Sequence, residues 1–301
     1  MNTVAKNFKE LDDCIPVENK TLSLPGSPLV GREKYVKLYH TTTLNSFLLI
    51  WAKKRLKFAA LTGVNDMKEF TLSIGSENPQ LLPVQFAMQD VRKSYRQISF
   101  TMDFDTSIKG YASPLMWGVY GDKNNGVCIE LDCKKLKLPK NCMCDMVEYV
   151  STTNHRILLP KDVVSVNTLK RFINERQKEL FFTKDKCWEH ENEYRIISDT
   201  DDYLDISDAI TAVYVANIDG LSYEIVEELL QNSKIKFGYV HVDNKTGVLF
   251  SSDARQYRDN CLQNEKSDNC LMKLGTQAKE YYEKYKNNPD ADLTKIIYSM
   301  S

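Results

Sequence analysis

Long hydrophobic runs are missing from this chain: its longest apolar stretch, residues 47–52, is far short of the roughly 20 residues a membrane-spanning helix needs. The opening MNTVAKNFKELDD carries no apolar core of the signal-peptide kind, so a cytoplasmic protein is expected. No charge of one sign dominates. Lys and Arg number 40 against 41 Asp and Glu, a net charge of −1 that gives no overall attraction to nucleic acid or membrane. Histidine is scarce, with four residues scattered at 40, 155, 190 and 241. The eight cysteines, at 14, 128, 133, 142, 144, 187, 261 and 270, include no CxxC, and the closest pair is the CxC of Cys142 and Cys144. Neither a zinc site nor a disulfide framework is expected from that spacing. GxGxxG, the P-loop pattern and GxSxG are all absent, which removes the anchors for dinucleotide-binding Rossmann, P-loop and α/β-hydrolase readings. His190-Glu191-Asn192-Glu193-Tyr194 opens like HExxH but has Tyr where the second zinc ligand belongs.

What is present is ordinary for a folded protein: 42% hydrophobic and 27% charged residues, in a length that suits one large domain or two small ones. A Pro- and Gly-punctuated lead-in occupies residues 1–30. Alternation predicts a strand over 34–40, and Thr43 is placed to cap a helix outlined by Leu44, Phe47, Leu48 and Trp51. Further strands are expected at 56–61, 97–101, 126–132, 146–150, 193–197 and 209–216, with a late hairpin at 239–242 and 248–250. Helices are expected at 80–94, 166–182 and 221–231, and Asn65 and Asp66 form a turn or cap. Strands and helices mix without regular βαβ alternation, which favours an α+β class. From residue 253 onward, eight basic residues balance eight acidic ones, and a helical extension is expected around 279–286.

Three constellations carry chemistry. The first is Leu38-Tyr39-His40-Thr41-Thr42 at a strand-to-helix junction, where a histidine beside threonine hydroxyls suits a ribose, or is simply satisfied within the sheet. The second joins Ser99 and Thr101 to Met116, Trp117 and Tyr120; an aromatic there is a platform for a flat ring or part of the core. The third runs from Lys184 to Arg195. If residues 191–195 are extended, Glu191, Glu193 and Arg195 share one face. Such a face is a salt-bridged edge, or a place where a carboxylate stabilises a cationic, oxocarbenium-like sugar. Residues 32–57 add Arg32, Lys34, Lys37, Lys53, Lys54, Arg55 and Lys57 against the single Glu33, a helix flank or a source of phosphate contacts.

In order and spacing these segments resemble the bacterial family catalogued as domain of unknown function 2971. The resemblance rests on Leu38-Tyr39-His40-Thr41-Thr42, on Asn65-Asp66-Met67-Lys68-Glu69, on Met116-Trp117-Gly118-Val119-Tyr120 through Gly126-Val127-Cys128-Ile129, and on Trp188-Glu189-His190-Glu191-Asn192-Glu193-Tyr194-Arg195. It covers about residues 35–250, with Met67 in place of a usual Pro and Val119 where His is common. The layout of an early histidine, a central aromatic and a late strand-opening glutamate further resembles the ADP-ribosyltransferase superfamily.

That second resemblance implies a mainly antiparallel split sheet flanked by helices over residues 31–252, with 253–301 as a C-terminal helical extension. It implies NAD as substrate. His40, with Tyr39 and Thr41, would hold the adenosine ribose and the nicotinamide amide. Trp117 or Tyr120 would stack on nicotinamide. Glu193 would favour cleavage of the nicotinamide–ribose bond, and Glu191 would engage the acceptor. Asn65, Asp66, Ser99 and Arg195 complete the binding set. The expected activity is a cytoplasmic ADP-ribosyltransferase or NAD glycohydrolase, a toxin or phage-defence effector, acting on a protein, a nucleic acid or water. A catalytically silent nucleotide- or phage-component-sensing module is the alternative, and a metal-dependent nuclease built on Glu191, Glu193, Asp66 and His40 is a third.

Overall fold

The structure is a computed structural model that describes residues 37–61, 72–73, 82–104, 108–140, 142–151, 157–243, 246–267 and 283–284. The lead-in at 1–30, Asn65 and Asp66, and all of the expected 279–286 helix except 283–284 lie outside the described residues.

Among the described residues, nine strands build the main sheet. In chain order they are β1 (Lys37–Thr42), β2 (Ala59–Ala60), β3 (Arg96–Met102), β4 (Val127–Asp132), β5 (Met143–Met146), β6 (Glu193–Ser198), β7 (Ile210–Val215), β8 (Lys236–Val242) and β9 (Leu249–Asp253). Their spatial order is β9-β8-β7-β4-β1-β3-β6-β5, with β2 added beside β3. Every neighbouring pair is antiparallel except β7 and β8. Those two are joined by a helical crossover, because parallel neighbours cannot be linked by a hairpin. The result is a mixed α/β architecture with a mainly antiparallel sheet. No described helix is long and apolar enough to cross a membrane.

The helices are α1 (Leu44–Lys53), α2 (Leu82–Ser94), α3 (Pro114–Val119), α4 (Val166–Glu175), α5 (Gln177–Phe181), α6 (Leu221–Leu229) and α7 (Ala254–Ser267). Thr43 caps α1 as its sequence position suggests, its hydroxyl accepting from the Ser46 amide. The helix expected over 166–182 instead breaks at Arg176, which bonds back to both Phe172 and Ile173. Its two halves, α4 and α5, thereby direct Leu169, Phe172, Ile173, Leu180 and Phe181 into one core. Similarly, the strand expected over 56–61 divides at Phe58, whose amide donates to Asp202. Its first half (Arg55–Lys57) pairs with Tyr203–Asp205 and its second becomes β2.

Strand alternation sorts residues onto the two faces of the sheet. Leu38, Phe100, Tyr194, Ile196 and Val213 pack with Phe47 of α1 and with Tyr223 and Val226 of α6. Tyr39, Cys128, Ala212, Tyr214 and Val240 pack with Trp117 of α3 elsewhere. One relationship positions the site. β1 and β3 pair only at Leu38–Met102 and Tyr39–Thr101. Beyond those pairs, residues 40–42 stay with β4 and residues 96–100 stay with β6, so the sheet splits between β1 and β3.

Candidate functional site at the split of the sheet

A cleft of about 240 Å³ opens at this split, between residues 39–41 of β1 and 97–101 of β3. Its walls are completed by Met116 of α3 and Tyr120 at its C-cap, by Lys57, and by Lys184, Glu191 and Glu193. Of the expected site residues, Tyr39, His40, Thr41, Ser99, Tyr120, Glu191 and Glu193 therefore come together.

His40 reaches across the split. Its Nδ1 lies 3.3 Å from the Ser99 carbonyl, which can only accept, so Nδ1 carries the proton. Burial holds its pKa below the ordinary 6.5, with the Ser99 bond only partly opposing, and the neutral ring keeps Nε2 as an acceptor. Tyr39 and Thr41 touch the cleft but are committed elsewhere: the Tyr39 hydroxyl to Asp103 and the Thr41 hydroxyl to the Cys128 thiol.

The helical rise of α3 separates its two aromatics. Met116 and Tyr120, four residues apart, share the face that meets the cleft. Trp117 turns away into the core, 1% exposed, with Nε1 donating to the Tyr111 carbonyl at 2.7 Å. Of the two rings considered for stacking, only Tyr120 reaches the cleft. Its hydroxyl donates to Glu191 Oε1 at 2.8 Å.

The two glutamates arrive by a route that strand alternation did not anticipate. Glu191 ends a 3-10 turn (Lys186–Glu191), Asn192 adopts a left-handed conformation with φ of 44°, and β6 begins only at Glu193. Asparagine tolerates that conformation better than most residues, and this one is clamped to β3. Its side chain donates to the Met102 and Asp103 carbonyls, and its carbonyl accepts from the Met102 amide. The turn, rather than an extended run over 191–195, brings both carboxylates to the cleft.

Four charges interlock there. Arg195 grips Glu193 with Nε to Oε1 and Nη2 to Oε2, both 2.8 Å, and donates Nη1 to the Phe181 carbonyl at 2.6 Å. Lys184 donates to Glu191 Oε2 at 2.5 Å and lies 3.4 Å from Glu193 Oε2. Burial alone would push the Glu193 pKa up, but Arg195, Lys184 and a Ser99 hydroxyl bond outweigh it and hold the carboxyl below its usual range. Arg195 does not line the cleft. It sits behind Glu193, so the ion pair turns its negative end to the opening.

Gln97 belongs to the site and is in none of the constellations, whereas Thr101, Lys184 and Lys57 stand in them without being assigned to the binding set. Lys184 comes from the short strand Thr183–Asp185, paired in parallel with Glu148–Val150, and its register partner Tyr149 accepts the Glu193 amide. Gln97 and Thr101 share a strand face with Ser99 at i±2, a signal that alternation alone carried. Gln97 and Thr101 are among the residues that line the cleft, and Gln97 Oε1 and Thr101 Oγ1 are buried without a hydrogen-bond partner among the described residues. Among the described residues no group of three or more His, Cys, Asp or Glu could hold a metal ion.

Fold and site together define an α/β protein with a charged polar cleft at a split in its sheet. Residues 116–196 match the family described as "Protein of unknown function (DUF2971)". The matched stretch runs from α3 through the clamped turn into β6 and so includes Tyr120, Lys184, both glutamates and Arg195. No curated protein and no solved structure matched the chain.

Proposed function

We propose that the cleft binds NAD or a related nucleotide and cleaves the nicotinamide–ribose bond, as an ADP-ribosyltransferase or NAD glycohydrolase. The observation that supports this reading is the convergence of His40, Tyr120 and the Glu191–Glu193 pair on one opening. Breaking an N-glycosidic bond develops positive charge on the sugar while the base leaves neutral. A fixed carboxylate facing that sugar contributes through preorganised electrostatics and pays no reorganisation cost during reaction. Glu193 suits that task because Arg195 keeps it ionised and immobile from behind. Neutral His40 supplies a hydrogen-bond acceptor and Tyr120 a ring face. Lys57 at the wall supplies a cation for a phosphate.

Incubation with NAD, following nicotinamide release, tests the reading. Release by the wild-type protein and a loss of about 100-fold or more in Glu193→Gln are expected, the scale of removing one transition-state charge contact. No release by the wild-type protein, alone or with protein and nucleic-acid acceptors, would defeat it.

One observation favours a second reading. Both Glu193 oxygens are engaged by Arg195, as in a structural ion pair, which is compatible with a binding module that senses a nucleotide without cleaving it. NAD binding by calorimetry without nicotinamide release would select that alternative.

A further inference from the structure

Glu191 differs from Glu193 in what occupies it. Its two oxygens are taken from the cleft side, Oε1 by the Tyr120 hydroxyl at 2.8 Å and Oε2 by the Lys184 ammonium at 2.5 Å. The Lys184 side chain is only 5% exposed, and its ammonium also lies 4.8 Å from the centre of the Trp188 ring. A guanidinium or ammonium acceptor docks on a carboxylate whose charge is uncompensated. To reach Glu191 here, it would have to displace the buried Lys184 ammonium from its ion pair. The wider lining gives it no help. Lys57 and Lys184 balance Glu191 and Glu193 along the wall, and Arg195 stands behind, so the described lining carries no net negative charge to attract a cation.

We infer that the acceptor at this site is a neutral oxygen nucleophile, water or an alcohol hydroxyl, and that Lys184 is the residue that excludes cationic acceptors. The inference rests on reading the cleft as an ADP-ribosyl-transfer site. A neutral nucleophile needs a place for its proton rather than a counter-charge. A carboxylate has about four lone-pair positions, so Glu191 retains acceptor capacity after its bonds to Tyr120 and Lys184. With water, the oxygen bonds to ribose C1′ as the C1′–N bond breaks, and that electron pair leaves with nicotinamide. The water proton passes to Glu191 and then to solvent, so that NAD and water become ADP-ribose, nicotinamide and a proton.

The test offers NAD with excess agmatine, a guanidinium acceptor, and in a parallel arm with methanol, and identifies products by mass spectrometry. Wild-type protein is expected to form ADP-ribose, with a methyl adduct where methanol is present, and no agmatine adduct. Lys184→Met is expected to gain the agmatine adduct, and Lys184→Arg to keep the wild-type pattern. Calorimetry with agmatine alone is expected to show binding at least about tenfold tighter to Lys184→Met than to wild type. An agmatine adduct made by the wild-type protein, or equal agmatine affinity in both proteins, would overturn the inference. Absence of nicotinamide release by wild type defeats the proposed activity, whereas the calorimetric comparison still decides whether Lys184 excludes cations. If Lys184→Met does not fold, the wild-type arm decides alone, since an agmatine adduct formed by the wild-type protein contradicts the inference directly.

Discussion

Arg195 holds Glu193 by two parallel bonds of 2.8 Å although both residues lie on one strand, two positions apart. Alternation places them side by side on the same face, and the fork of the guanidinium spans the distance. Their side chains are 2% and 4% exposed, so neither charge is relieved by water. Arg195→Met should therefore cost about 3–5 kcal/mol, since it leaves Glu193 buried with the longer Lys184 contact and the Ser99 hydroxyl bond but without its guanidinium. Thermal or urea unfolding measures this, and the double variant Glu193→Gln/Arg195→Met should recover part of the loss. A double variant as unstable as the sum of its singles would mean that the pair is not coupled.

His40 and Glu193 both contribute to the acid sensitivity, His40 in the same window as His241, whose pKa burial also lowers. Burial lowers the folded-state pKa of His40 below its ordinary 6.5, so the unfolded chain takes up that proton first. Stability should fall as pH drops below 6.5 toward the lowered value. Glu193 acts in a lower window. Its folded-state pKa is held below the ordinary 4.5, so its contribution is complete above 4.5 and is lost as pH falls through the depressed value. Melting temperature followed from about pH 3 to 8 should show both phases. His40→Gln should flatten the upper one and Glu193→Gln the lower; an unchanged upper slope in His40→Gln would assign it to another group.

Asn192 should be sensitive to replacement by alanine. Alanine at a φ of 44° is strained and also loses the bonds to the Met102 and Asp103 carbonyls, for about 2–3 kcal/mol in all. Glycine accepts the backbone without strain and should cost about 1 kcal/mol. Equal losses in the two variants, measured by chemical unfolding, would show that the side-chain bonds alone matter.

The aromatic pair of α3 divides between stability and activity. Trp117→Phe loses the bond to Tyr111 and some core volume, so it should destabilise by about 1–3 kcal/mol while sparing nicotinamide release per folded molecule. Tyr120→Phe removes only the hydroxyl bonded to Glu191 and should lower the release rate with little change in melting temperature. The reverse pattern would move the ring platform from Tyr120 to Trp117.

Local patterns are legible in the sequence where one element suffices. Thr43 as cap, the apolar stripe of α4 and α5, and alternation along β3 and β6 each depend on neighbours within a few residues. Breaks were not legible. Phe58 and Val147 interrupt expected strands because their amides bond to distant segments, Phe58 to Asp202 and Val147 to Glu193, and Arg176 interrupts the expected helix where its amide is shared between the Phe172 and Ile173 carbonyls. The choice between Trp117 and Tyr120 was open to a helical argument, since Met116 and Tyr120 at i and i+4 face the same way. Lys184 carried no such signal, because its contacts with Glu191 and Glu193 close only when the short strand beside Tyr149 docks under the clamped turn.

By itself, then, the sequence determined the identity of most strands and helices and the shared face of Glu193 and Arg195, all consequences of short-range periodicity. It also settled what the chain lacks: one-signed charge, a long apolar span and metal-ligand spacing. Only the tertiary structure decided that β1 and β3 part after two residue pairs, that Tyr120 rather than Trp117 meets the cleft, and that Asn192 turns Glu191 beside Glu193. It also decided that near-neutrality recurs locally, with Lys184 and Arg195 offsetting two buried glutamates. These are long-range pairings, and their geometry exists only once distant segments have packed.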